Sequence, residues 1–385
     1  MESPQYVWAQ ADWPQLRYDS TRVAAELALA RRAQGVVEGI LAALGFRERT
    51  DLAAEAWAQE AVSTAAIEGE RLDLMTVRSS VARRLVAAGH KGPNAPRHVD
   101  GLLDIMDDAV TRAREPLTRD RLCAWQAALF PTGYSGMRRV QTGSYRDSDA
   151  PMQIVSGREG NETVHYEAPA SSQVPAEMER FLAWFNSAQD DPVLHAAIAH
   201  LWFETIHPFE DGNGRVGRAI IDLALARDAG ETSRLVRISQ RLLEKRDEYY
   251  DELNHAQRGE VDVTRWVLWL VAQVRAAWEQ AAVVVGASLE RARFWAAHAN
   301  KNLSDRQRKA VNAMLDRGPG GFEGGMSTRK YESLTGASRA TASRDLIELD
   351  QLGVLKQVGS GRSTRYYVNL AAWIPSERPQ HEQRT

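Results

Sequence analysis

Most of the side chains that could do chemistry lie within one stretch, residues 207–218, of this 385-residue chain. His207 can accept a proton near neutral pH, which makes it a candidate general base. Asp211 supplies a carboxylate of the kind that Mg²⁺ binds together with substrate phosphates. Arg215 and Arg218 add planar positive groups that suit phosphate oxygens. These residue types together predict a polyphosphate site with a proton acceptor beside it.

The same stretch contains a Gly-Asn-Gly turn, at residues 212–214, between two predicted helices. Apolar spacing predicts one helix that ends near Ile206 and a second over residues 216–227. Both glycines can adopt positive φ and expose their amide groups. Because exposed amides and the helix dipole attract negative charge, this helix N-terminus is predicted to bind an anion.

These residues resemble the signature of the Fic family, His-Pro-Phe-x-(Asp/Glu)-Gly-Asn-Gly-Arg-x-x-Arg, at every fixed position. The resemblance implies an AMP transferase, which moves AMP from ATP to a Tyr, Ser or Thr hydroxyl of a target protein, or of itself, and releases pyrophosphate. It implies the following roles: general base for His207, buried anchor for Phe209, Mg²⁺ coordination for Asp211, an α-phosphate hole for Gly212, Asn213 and Gly214, γ-phosphate binding for Arg215, and support of the phosphate end for Arg218.

A second, shorter motif covers residues 64–69 and resembles the inhibitory motif of Fic proteins, (Ser/Thr)-x-x-x-Glu-(Gly/Asn). Thr64 and Glu68 are one turn apart on a predicted helix, 51–67, so they share a face; Gly69 completes the motif. The resemblance implies that Glu68 pairs with Arg215 and makes ATP bind unproductively. In some relatives the same glutamate supports AMP removal, so this reverse activity is an alternative.

The elements that must position these residues are mostly helical. A hairpin is predicted from residues 152–155 and 163–166, and it is similar to the flap with which the family binds target segments. Segment 7–19 resembles the start of a helical module often joined to Fic domains. Further helices are predicted at residues 20–44, 74–88, 96–114, 175–187 and 191–206.

The predicted fold class is mainly α: a Fic helical core with a small β-hairpin flap, an N-terminal helical region and a C-terminal winged helix-turn-helix. The predicted domains are an N-terminal region with the inhibitory motif (1–115), the Fic core with its following helices (116–300), the winged helix (301–372) and a disordered tail (373–385).

Residues 303–370 contain 11 basic and 7 acidic residues, a net charge of +4. A short helix, a turn, a helix over 339–352 capped by Ser338 and two β-prone runs resemble a winged helix-turn-helix. This resemblance implies that polar side chains contact DNA, and protein docking is the alternative. The candidate DNA-binding residues are Arg339, Thr341, Ser343, Arg344 and Arg362.

Composition narrows the class of protein. The net charge of the whole chain is −3, so residues outside 303–370 carry −7, and a wholly basic nucleic-acid coat is excluded. The single cysteine, Cys123, excludes a disulfide framework. No signal or membrane segment is predicted, so we expect a cytoplasmic protein. A homodimer is predicted, in which Trp266, Trp269 and Trp278 could pack.

Three other functions fit parts of the pattern. The chain could be a DNA-binding regulator whose Fic fold senses nucleotide, or it could transfer another nucleotide or phosphate group. His200, Glu204 and His207 at positions i, i+4 and i+7 could in principle hold a metal for hydrolysis. The metal-dependent hydrolase is disfavoured because the chain has no His-Glu-x-x-His motif and Pro208 ends the predicted helix.

Overall fold

The computed structural model describes residues 6–85, 96–158, 161–187, 190–318, 322, 324–370 and 373–374. The side chains of residues 155–158 and 161–162 are not described. The end of the helix predicted over 74–88 lies outside the described residues, and so does most of the predicted disordered tail. The chain divides into two compact units, Met1–Val285 and Gly286–Thr385. The four-part division made from the sequence stays a prediction.

The mainly α fold class is confirmed, because the described residues form 14 α-helices and three sheets of two strands each. In the first unit the helices are α1 (Ser20–Ala42), α2 (Phe46–Ile67), α3 (Leu74–Leu85), α4 (Arg97–Thr111), α5 (Arg119–Leu129), α6 (Val174–Ser187), α7 (Pro192–Ile206), α8 (Asn213–Ala229), α9 (Ile238–Glu244) and α10 (Arg246–Gln257). Its strands are β1 (Tyr134–Ser135), β2 (Arg138–Arg139), β3 (Gln153–Arg158) and β4 (Asn161–Glu167). Helix α11 (Thr264–Ala297) contains the division between the units.

Local sequence explains where the helices near the site begin. Asp191 caps α7 by accepting a hydrogen bond from the Val193 backbone N–H at 2.9 Å, and a proline occupies the first turn. Asp19 caps α1 by accepting hydrogen bonds from the backbone N–H groups of Thr21 and Arg22. Helix α2 begins at Phe46, five residues before the predicted start, because Gly45 is the N-cap residue at which the helix starts.

Helix α7 is the centre of the first unit, and it is buried from Val193 to Ile206. Helix α8 packs along α7 and also contacts α2 and α4. This packing places the α7–α8 loop beside the end of α2. Trp266 and Trp278 are 1% and 0% exposed inside the chain, so they belong to its core and do not form the dimer surface predicted from the sequence. The homodimer stays a prediction without that support.

The predicted hairpin is the antiparallel pair β3–β4, with a register irregularity between Ile154 and Val155. Tyr166 anchors it to α7 because its hydroxyl donates a hydrogen bond to the Thr205 backbone oxygen at 2.6 Å. The N-terminal segment also packs here, since Trp8 donates to the Glu167 backbone oxygen at 2.9 Å. The hairpin base is therefore fixed to the helix that carries His207.

The second unit contains helices α12 (Asp305–Leu315), α13 (Thr328–Thr335) and α14 (Arg339–Gln351), followed by the antiparallel strands β5 (Leu355–Val358) and β6 (Arg365–Val368). Ser338 caps α14 as predicted, and Ala342, Leu346 and Leu349 are buried in its core. This element order is the one expected of a winged helix, and the winged-helix assignment stays a prediction. In the described part of the chain, no helix is both long and apolar enough to cross a membrane.

Candidate active site

The α7–α8 loop has two residues with left-handed backbone. His207 ends α7 with φ 51° and ψ 60°, and Gly212 caps α8 with φ 88°. Helix α8 begins at Asn213, three residues before the predicted start. The expectation that Gly214 has positive φ is wrong, because it lies in the first turn of α8. Glycine there leaves room for the Glu68 carboxylate, because a β-carbon would lie 2.2 Å from Glu68 Oε1.

Side chains of the α7–α8 loop fix its conformation by bonding to the loop's own backbone. Phe209 is fully buried, as predicted. The Asn213 amide exchanges two hydrogen bonds with the backbone of Phe209, at 2.9 and 2.8 Å. Asp211 Oδ1 accepts a hydrogen bond from the Gly212 backbone N–H at 2.6 Å. The Asn213 side chain therefore holds the loop in shape and is not free to bind a phosphate.

A cleft of about 1080 Å³ brings together part of the predicted site. Its lining includes Glu68, His207, Gly214 and Arg218. Other lining residues come from the hairpin region and from α10: Met152, Ile154, His165, Tyr250, Asn254 and Gln257. The cleft thus joins the candidate base, the start of α8 and one of the two arginines of the α7–α8 loop motif.

Arg218 is the arginine that the inhibitory motif binds, so the predicted pairing of Glu68 with Arg215 is wrong. Arg218 Nη2 lies 2.7 Å from Glu68 Oε1, and Arg218 Nε donates to Thr64 Oγ1 at 2.7 Å. The side chain of Arg218 is 2% exposed. The physical reason is the packing of α2 along α8, which brings the end of α2 to the buried face of α8.

Glu68 and Arg218 each shift the pKa of the other toward the charged form. Burial favours the neutral carboxyl of Glu68, but the charge and hydrogen bond of Arg218 outweigh it and lower the pKa of Glu68. Burial likewise acts to lower the pKa of Arg218, and Glu68 outweighs it and raises that pKa. Both groups are therefore charged at neutral pH, and the pair holds the motif against α8.

Arg215 has a different partner. Its Nη1 lies 3.2 Å from Glu70 Oε2, and its guanidinium lies over the ring of Phe130, 5.1 Å from the ring centre. Gly69, with φ 80°, ends α2 and turns the chain toward Arg215. Two carboxylates close in sequence thus hold both arginines of the loop.

His207 is almost buried, and its protonation follows from that. Burial, aided by the positive charge of Arg146, lowers the pKa of His207 to about 4. Its Nδ1 lies 3.6 Å from Glu204 Oε2. Burial raises the pKa of Glu204 to about 8. At neutral pH His207 is therefore an uncharged imidazole, the form a general base requires.

The loop fits a Mg²⁺ ion that arrives with a nucleotide. Asp211 is one-third exposed and lies 3.9 Å from Arg215, at the edge of the loop. Mg²⁺ commonly takes one or two protein carboxylates and fills its other positions with phosphates and water, so one carboxylate suffices. No group of three or more His, Cys, Asp or Glu in the described residues could hold a metal by itself. Nε2 of His200 instead shares a hydrogen bond with Tyr249 Oη at 2.9 Å.

Sequence reasoning missed three residues of this site. Glu70 lies just outside the inhibitory motif, and Glu204 was considered only as a metal ligand. Arg146 gave no signal, because it stands alone between the two hairpins. Its contacts are visible only once the loop is folded.

Comparison with known proteins agrees with this geometry. Residues 116–225 match the Fic/DOC family model, and residues 6–86 match a domain of unknown function, DUF4172. The chain therefore contains a Fic/DOC family domain.

Curated relatives carry the name protein adenylyltransferase Fic. The one from Nematostella vectensis is 26% identical over 213 residues, which cover 54% of this chain and 45% of the relative. The one from Drosophila mojavensis is 36% identical over 96 residues, which cover 24% of this chain and 18% of the relative. The chain thus spans less than half the length of these relatives.

Two solved structures share the fold. A Fic family protein from Desulfovibrio desulfuricans G20 has a TM-score of 0.51 at 20% identity, covering 88% of this chain and 95% of its own. Residues 134–508 of Fic-1 from C. elegans have a TM-score of 0.50 at 18% identity, covering 70% and 75%. At these identities the likeness shows the fold alone.

Proposed function

We propose that this protein transfers AMP from ATP to a Tyr, Ser or Thr hydroxyl of a target protein or of itself. The observation that carries the proposal is the uncharged His207 in one cleft with Gly214 and Arg218 at the start of α8. The Fic/DOC domain and relatives named protein adenylyltransferases support it.

In the proposed reaction His207 accepts the proton of the target hydroxyl. The hydroxyl oxygen then attacks the α-phosphorus, the bond from that phosphorus to the bridging oxygen breaks, and pyrophosphate leaves. The Gly214 backbone and the α8 dipole stabilise charge on the α-phosphate. Arg218 binds the terminal phosphates once Glu68 releases it. Asp211 would hold a Mg²⁺ ion that enters with ATP, and the ion would neutralise phosphate charge.

The direct test is incubation of the chain with Mg²⁺ and ATP labelled either at the α- or at the γ-phosphate. Covalent label from the α position alone supports AMP transfer. Label from the γ position would instead show phosphate transfer, and no label with any target would leave the nucleotide-sensing regulator as the better function. Competition by unlabelled CTP, GTP and UTP gives the nucleotide preference.

We also propose that the chain inhibits itself through Arg218 rather than Arg215. The Glu68 carboxylate occupies this arginine and lies against Gly214, where the phosphates would bind. ATP must therefore either displace a charged, partly buried contact or bind with its terminal phosphate elsewhere.

A first prediction about this proposed self-inhibition concerns Glu70. Because it holds Arg215, Glu70→Gln in a Glu68→Gly background should lower the KM for ATP by about threefold, as expected for a partly exposed ion pair. Steady-state label incorporation at varied ATP measures this effect. Asp73→Asn is the matched control, since Asp73 caps the next helix and bonds Thr76. An equal change in both variants would attribute the effect to net charge alone.

A second candidate function, DNA binding, concerns the second unit. Arg339, Ser343 and Arg344 on α14 are exposed, as is Arg362 in the β5–β6 connection, whereas Thr341 is half-buried and helps Ser338 cap α14. The basic side chains suit phosphate contacts, and α14 stands where a recognition helix is expected.

This candidate predicts salt-dependent binding of a fluorescent 30-base-pair duplex, measured by anisotropy. Arg339→Ala combined with Arg344→Ala should weaken binding at least tenfold and reduce the salt slope, because two phosphate contacts are lost. Arg308→Ala with Arg317→Ala removes the same charge from exposed positions of the same unit and is the control. Undetectable binding at 50 mM salt, or equal loss in both pairs, would contradict a DNA-reading α14.

A further inference from the structure

Arg146 lines the same cleft as the candidate base and is 5% exposed. Its Nε donates to the His207 backbone oxygen at 2.8 Å, and its Nη2 donates to the Ile206 backbone oxygen at 3.3 Å. Nη2 also binds the Pro169 backbone oxygen, and the Arg146 backbone N–H donates to the Pro208 oxygen at 2.9 Å. One residue therefore ties the end of α7 to the chain that follows it.

The backbone of His207 needs such support. A residue with a β-carbon at φ 51° is disfavoured by about 1–2 kcal/mol relative to the right-handed helix. In the described residues it is the only one other than glycine with positive φ. Its N–H donates to the Phe203 oxygen at 2.9 Å, and Arg146 binds its carbonyl. Fixing both sides of His207 fixes the direction in which the imidazole leaves the backbone.

The charge of Arg146 is unusual among the buried arginines. Arg121 pairs with Asp108 at 2.6 Å, and Arg234 pairs with Glu231 at 2.6 Å. Arg146 has only backbone oxygens as partners, and no carboxylate of the described residues lies within ion-pair distance. A cation is favoured at these carbonyls because they form the negative end of the α7 dipole.

That unpaired charge also acts on the imidazole. After burial, Arg146 is the main cause that lowers the pKa of His207. The carboxylates of Glu68 and Asp211 act in the opposite direction. Arg146 thus favours the uncharged imidazole as well as its placement.

We propose that Arg146 is a positioning residue for AMP transfer: it holds His207 in its left-handed conformation so that the imidazole faces the cleft. This inference rests on the proposed function for its kinetic test. Every side-chain hydrogen bond of Arg146 goes to a backbone oxygen, and the residue also lines the cleft.

The test compares Arg146 variants of the full chain that also carry Glu68→Gly, which removes the proposed inhibition by Glu68. Arg146→Lys keeps the charge but loses the planar set of donors that binds several carbonyls. We expect kcat for AMP incorporation to fall at least tenfold, with the KM for ATP changed less than twofold. Arg146→Gln also removes the charge and should lower kcat further.

Arg227→Lys is the matched control. Arg227 also donates to backbone oxygens across elements, those of Ala113 and Phe185, and it lies near the opposite end of α8 from the loop. If general loosening of the fold lowers kcat, Arg227→Lys should lower it equally. A specific effect at His207 leaves this control at the rate of its parent.

Selective ¹⁵N labelling of histidine supplies a readout that does not need activity. The ring signals of His207 are assigned by their loss in His207→Ala, and they should shift in Arg146→Lys. Unchanged ring signals, or kcat within twofold of the parent, would overturn the proposal. A raised KM at unchanged kcat would also overturn it and make Arg146 a nucleotide-binding residue.

These readouts separate the two proposals. If the Glu68→Gly parent transfers no AMP, the proposed function fails, while the ring signals still decide whether Arg146 positions His207. If Arg146→Lys does not fold, Arg146→Gln provides the same two measurements.

Discussion

Glu68→Gly should raise the rate of AMP incorporation by about 100-fold. The substitution frees Arg218, whose Nη2 now lies 2.7 Å from the Glu68 carboxylate. It also removes a negative charge that lies against Gly214, where phosphates must bind. A factor of 100 corresponds to about 2.7 kcal/mol, which is modest beside the roughly 4 kcal/mol of repulsion between two unit charges 4 Å apart near a protein surface.

Mass spectrometry of the purified variant after incubation with ATP and Mg²⁺ measures this effect, alone and with cell lysate as a source of targets. Glu55→Gly is the matched control, because Glu55 lies on the same helix but pairs with Arg78 on α3. A central glycine costs a helix about 1 kcal/mol, so this control loosens α2 without touching the loop. Equal activation of both variants would show that loosening of α2 alone raises the activity. Unchanged self-modification by Glu68→Gly would contradict the proposed inhibition by Glu68.

The loop itself could be predicted because its residues are neighbours in the sequence. Adjacent residues must remain close in space, so one stretch with a base, a carboxylate, glycines and two arginines indicates a site in almost any fold. The helices on either side were also predictable, since Asp191 and the proline after it mark the start of α7. The family resemblance then assigned roles that the residue types alone left open.

The choice between Arg215 and Arg218 could not be made in this way. The two arginines are three residues apart on α8, so they point to similar faces of the helix and differ mainly in depth. Which one meets Glu68 depends on how α2 packs against α8, and that packing joins residues 150 apart in sequence. Arg146 escaped prediction for the same reason, because its partners are backbone oxygens, which carry no sequence signal.

The corrected pairing also changes what the two arginines can do. Arg218 is fully buried and lines the cleft, so under the proposed function it is the arginine that binds a terminal phosphate after Glu68 leaves. Arg215 is held at the loop edge by Glu70 and lies 3.9 Å from Asp211. The proposed inhibition by Glu68 thus acts on Arg218, the less exposed of the two arginines.

His207 substitutions should have the largest effect of all. In the Glu68→Gly background, His207→Ala should lower the rate of AMP transfer by about 10³-fold, within the 10²- to 10⁴-fold range typical of general acid–base catalysis. ATP binding should change less than threefold, because the start of α8 and Arg218 remain in place. Label incorporation and a fluorescent ATP analogue measure the two quantities separately.

His207→Asn distinguishes loss of the base from loss of the loop. Alanine at φ 51° is strained, whereas asparagine tolerates the left-handed backbone and cannot accept a proton at neutral pH. If His207 is the base, both variants lose transfer to the same extent and both still bind ATP. Activity retained in His207→Asn would instead show that the left-handed backbone, and not the imidazole, is what the reaction requires of this residue.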